Sequence, residues 1–71
     1  MKWVKVPEPE YTVHQAKVGD RFYEIRSKTG LGVWRLFLRE VEKEPLRTIF
    51  TGNNVTACKK YATKFEGRFS E

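Results

Sequence analysis

Arg35, Phe37 and Arg39 stand at alternate positions of one apolar run, Val33 to Val41, and are the residues of this chain best placed to do recognition chemistry. In an extended strand they leave the same side of the backbone. A guanidinium can fork onto a phosphate or a guanine edge, and a phenyl ring can stack on an exposed base or touch a thymine methyl. Arg26 joins the group if the preceding run, Arg21 to Ser27, pairs beside it with Phe22, Glu24 and Arg26 on that side. Arg47 on a third run is a further candidate. Lys59, Lys60 and Lys64 would act as point charges toward phosphates, each displacing a counterion. These eight residues are the candidate nucleic-acid-binding set.

Catalytic chemistry has no comparable cluster. The chain holds one histidine, His14, and one cysteine, Cys58, and no motif sets a carboxylate beside either. A nucleophile triad, an acid/base pair and a Cys/His metal site therefore all lack their parts, so the sequence predicts no enzyme, no cofactor, no metal and no small-molecule substrate. Thr29 to Gly32 precedes a strand and not a helix, so it reads as a hairpin turn and not a phosphate-cradling loop.

Placing the cationic residues requires a sheet. The run from Val33 to Val41 puts Trp34, Leu36 and Leu38 on one side, an unbroken apolar stripe, and reads as the central strand. Arg21 to Ser27 turns Tyr23 and Ile25 toward the same core. The segment from Lys28 to Gly32, with its two glycines, joins the two as a hairpin, and Glu42 to Pro45 reverses the chain into a third strand, Leu46 to Thr51. Gly52 to Asn54 breaks the strand and offers an asparagine as N-cap, and Val55, Cys58, Tyr61, Ala62 and Phe65 recur at helical spacing over residues 54–66. Cys58 on that stripe is a small hydrophobe. Lysines suit the negative end of the helix dipole, and Gly67 supplies a stop.

The fold expected from these elements is α+β. It is a three-stranded antiparallel meander, residues 21–51, packed on one C-terminal helix, with a possible short extra N-terminal strand. Residues 1–20 form an extended segment, because Pro7 and Pro9 remove donors and fix φ. At 71 residues the whole chain, 1–71, is one domain. The lone cysteine excludes an internal disulfide and fits a reducing, cytoplasmic setting; the charged start lacks the apolar run of a signal peptide, and no stretch is long enough to span a membrane.

Net charge is +5, and its distribution carries the information. Residues 1–20 balance, residues 21–52 hold seven bases against four acids, and residues 53–71 hold four against two. The excess lies on the strands and helix and not on a tail, and charge alone does not decide for or against a polyanionic partner. Glu40, Glu42 and Glu44 oppose it at the end of the central strand, where alternation would set three carboxylates on one side.

The order of three strands and a helix, with Tyr23, Gly30, Trp34, Phe50, Thr51, Ala57 and Tyr61, resembles the arm-type DNA-binding domain of tyrosine recombinases over about residues 21–66. That resemblance implies a sheet face that docks in the major groove of duplex DNA, and the small size and style of the chain suggest a phage or mobile-element origin. The expected function is thus non-enzymatic DNA binding. The alternative is a protein-interaction module, an adaptor or inhibitor of a host protein, using the same Arg/Phe face as its anchor. Either depends on the N-terminal segment not folding across that face.

Overall fold

The computed structural model of the chain describes residues 1–28 and 30–69; Thr29 of the glycine loop lies outside the described residues. Strands β1 (Val4–Val6), β2 (Tyr11–Val18), β3 (Arg21–Lys28), β4 (Trp34–Arg39) and β5 (Arg47–Gly52) form one antiparallel meander in sequence order. Helix α1 (Val55–Glu66) follows, then a 3-10 turn over Gly67–Phe69. The α+β class holds, but the sheet has five strands and not three.

Strand β2 is the reason. Val18 and Arg21 are register partners, so Gly19 and Asp20 are a two-residue hairpin loop. Gly19 has φ +59° and, among the described residues, no non-glycine residue has positive φ, the pattern of a type II′ turn whose twist suits two antiparallel strands. From that turn β2 pairs with β3 over all eight residues of both strands. Its apolar pattern slips phase at His14 and Gln15. Val13 and Ala16, each 4% exposed, are consequently buried on opposite faces, which hides the alternation expected of a strand. Pro7 and Pro9 fall between β1 and β2, where no ladder needs their missing donors.

One face of the sheet makes the core. Tyr23, Ile25, Leu36 and Leu38 are fully buried against Cys58 and Ala62 of α1, with Trp34, Phe50, Val55, Tyr61 and Phe65 around them, as the apolar stripes required. Each such aliphatic or aromatic side chain contributes about 1.5–3 kcal/mol. Phe50 stacks on Tyr61 at 4.6 Å, and a Cβ on Gly52 would stand 2.8 Å from the Phe50 ring of its own strand and 3.5 Å from the Ala57 Cβ of α1. Strand β5 bulges between Leu36 and Phe37 of β4, which reconciles its apolar residues on both alternate positions.

The helix begins where Asn54 Oδ1 accepts the Ala57 N–H at 2.8 Å. Its end differs from expectation: Gly67 keeps ordinary helical dihedrals, φ −56° and ψ −25°, and the chain tightens into the 3-10 turn instead of stopping at a left-handed glycine. Strand β4 ends at Arg39, so Glu40, Glu42 and Glu44 lie in the loop and do not share one strand face.

The last helical residue also ties helix to sheet. Glu66 accepts Arg21 Nε at 2.8 Å and the Tyr23 hydroxyl at 2.7 Å, and pairs with the second guanidinium nitrogen of Arg21. The hydrogen bond from Arg21 holds the Glu66 carboxyl below its usual range, and burial pushes the Tyr23 phenol upward. A lowered carboxyl stabilises the fold above its unfolded pKa and is lost as acid titrates it; a raised phenol stabilises below about pH 10 and is lost above. Stability should therefore plateau between roughly pH 5 and pH 9. Glu66→Gln should flatten the acid limb of a Tm-against-pH profile, and Tyr23→Phe, at a cost of about 1 kcal/mol, the alkaline limb. Unchanged limbs would show that this contact does not hold the helix end.

Candidate nucleic-acid interface

Helix α1 lies on one side of the sheet only, and β1 and β2 extend the sheet in its own plane. The N-terminal residues therefore do not fold over the opposite face. Across β3 and β4 that face is a block of six residues, paired Arg26 with Arg35, Glu24 with Phe37 and Phe22 with Arg39. Arg26, Arg35, Phe37 and Arg39 are thus gathered on one surface, as the alternation required.

The block is held by its own contacts. The Arg26 guanidinium lies 5.6 Å from the centre of the Phe37 ring and that of Arg39 5.0 Å from Phe22, so each cation rests on a ring and keeps a preferred orientation. Glu24, at the centre, is only 4% exposed although no second layer covers it. It accepts Gln15 Nε2 at 2.8 Å and an Arg26 guanidinium nitrogen at 2.5 Å. Its carboxylate fixes Arg26 and offsets part of the local charge. Arg39 Nε is buried without a protein partner.

The two ends differ in sign. Beside the β3–β4 loop, a cavity of about 290 Å³ is lined by Tyr11, Arg26, Lys28, Leu31, Val33, Arg35 and Phe37, with three cations and no carboxylate. At the other end a cavity of about 260 Å³ is lined by Lys17, Asp20, Phe22, Arg39 and Glu42, where charges cancel. An anion is favoured at the first end.

The remaining candidates lie elsewhere. Arg47 pairs in register with Leu38, a core-facing residue, and its guanidinium is 3.4 Å from Glu40. Lys59, Lys60 and Lys64 line a shallow depression with Thr56 and Thr63 on α1, behind the sheet. One rigid ligand flat on the Arg/Phe face cannot also reach them. Lys59 and Lys5 instead face His14, whose pKa is lowered first by burial and then by those two cations. Cys58 is buried, its thiol donating weakly to the Trp34 carbonyl at 3.7 Å, and burial raises its pKa, so it is a core residue.

Tyr11, Gln15, Lys17 and Lys28 contribute to the open face beside the residues that alternation of β3 and β4 placed there. The Gly19–Asp20 loop was the signal: taken as a two-residue hairpin, it puts Tyr11 opposite Lys28 and Gln15 opposite Glu24. Among the described residues no cluster of three or more His, Cys, Asp or Glu could hold a metal ion, and no helix is long and apolar enough to cross a membrane. No family model, no curated protein and no solved structure matches the chain.

Proposed function

We propose that the protein is a non-enzymatic DNA-binding protein whose open sheet face, carrying Arg26, Arg35, Phe37 and Arg39, lies on duplex DNA. The supporting observation is the gathering of these cations and rings on a face that no other element covers. Five strands at ~4.8 Å spacing make a sheet about 19 Å wide, whereas the major groove is about 12 Å wide. Such a sheet is too wide to enter the groove as a three-stranded sheet of the recombinase arm type would. It lies across the phosphate ridges, and most of its affinity is then electrostatic.

Fluorescence anisotropy of a labelled duplex tests this. Log affinity should fall linearly with log salt, with a slope near −3 if Arg26, Arg35 and Arg39 each neutralise one phosphate at about 0.9 per contact. Absence of binding at about 50 mM salt would eliminate the reading. Leu31, 66% exposed, and Val33, 41% exposed, beside Phe37 favour the second reading, a protein partner anchored on that ring. Capture of such a partner would survive moderate salt, because a desolvated aromatic anchor is insensitive to screening.

A further inference from the structure

Register places Arg26 directly opposite Arg35, and like charges facing each other across two strands destabilise a sheet. Glu24 offsets Arg26, but Arg35 makes no ion pair among the described residues. Lys28 adds a third cation in the same cavity, which no carboxylate lines. An anion there would relieve the repulsion.

The walls define the rest of the ligand. Tyr11 comes from β2 and Phe37 from β4, so β3 and its cations run between two rings. Tyr11 is 39% exposed, and its ring is free to meet a planar group. The volume, about 290 Å³, lies at the small end of ligand pockets, which run from roughly 300 to 1,000 Å³. It suits one nucleotide and excludes a stacked run.

We propose that this cavity is a single-nucleotide site, taking one unpaired nucleotide of a DNA strand with its phosphate between Arg26 and Arg35 and its base against Tyr11 or Phe37. The inference rests on the DNA-binding reading and adds a structural preference to it: DNA carrying an unpaired nucleotide over a perfect duplex. A base stacked within an intact duplex cannot present its ring face to Tyr11. An overhang or a one-nucleotide bulge can.

The test compares a blunt duplex, the same duplex with a one-nucleotide 3′ or 5′ overhang, and one with an abasic unit at that position, all at one salt concentration. Stacking of a single base predicts about tenfold tighter binding to the overhang than to the blunt duplex, with the abasic form near the blunt value. Tyr11→Ala should bring the ratio of overhang to blunt-duplex affinity, both measured on that variant, down to about one, and Tyr11→Phe should retain the preference, since the ring and not the hydroxyl is used. Circular dichroism of each variant confirms folding. Equal affinity for blunt and overhang DNA with the salt dependence intact overturns the nucleotide site and leaves the DNA reading standing. Failure to bind any of the three overturns both. A preference that persists in the abasic duplex shows that the added phosphate and not the base is read, and overturns the stacking assignment.

Discussion

Arg35→Ala combined with Arg39→Ala is expected to weaken duplex binding by about 10- to 100-fold at low salt and to flatten the slope of log affinity against log salt by about two, with no loss of folding. Both side chains lie on the uncovered face, Arg35 exposed and Arg39 half-buried on Phe22. Arg35 makes no ion pair among the described residues, and the unpartnered Arg39 Nε leaves no hydrogen bond there to lose. Lys60→Ala with Lys64→Ala removes the same formal charge from the back of the molecule. If the sheet face is the interface, that pair should change the slope by well under one. Equal effects from the two double variants would mean that net charge, and not the sheet face, governs binding.

Leu36→Ala and Phe37→Ala are neighbours on β4 with opposite expected outcomes. Leu36 is fully buried between sheet and helix, and its truncation should cost about 2–5 kcal/mol. A domain of 71 residues has on the order of 4–10 kcal/mol of stability, so much of this variant's population should be unfolded or near its melting point. Phe37 points to the open face, half-buried beside Arg26. Phe37→Ala should fold, lose little in Tm, and lose about 1–3 kcal/mol of affinity for DNA that offers an unpaired base. Chemical denaturation of both variants decides the matter. A Phe37→Ala loss as large as that of Leu36→Ala would mean that the open face is a second core.

The contrast between these two residues was readable in the sequence because strand alternation is strict where one face is apolar throughout. Trp34, Leu36 and Leu38 admitted one register only, and the stripe Val55, Cys58, Ala62 and Phe65 specified the helix that covers them. Strand β2 gave no such pattern. It is an interior strand, paired on both edges, with Val13 buried on one face and Ala16 on the other, so its apolar residues change phase midway. The prolines beside it mark a connector, and only the pairing of Val18 with Arg21 across Gly19 and Asp20 shows that the turn joins two long strands.

The candidate site was legible to the same extent. Arg26, Arg35, Phe37 and Arg39 follow from the alternation of β3 and β4 alone. Tyr11 and Lys28 depend on β2 being a strand, and Glu24 counts only once Gln15 is seen opposite it. The helix lysines illustrate the reverse case. Their charge suits phosphates, but charge carries no information about which side of a sheet a helix takes, and the apolar stripe of α1 puts Lys60 and Lys64 behind the face that holds the arginines.

The most direct measurement is an NMR titration of the isotope-labelled protein with a short duplex, following the side-chain Nε–Hε signals of arginine and the ammonium signals of lysine. The account predicts that Arg26, Arg35 and Arg39 shift together and saturate with one affinity while Lys60 and Lys64 stay in place. Shifts confined to the helix lysines, or spread evenly over all cations, would contradict it.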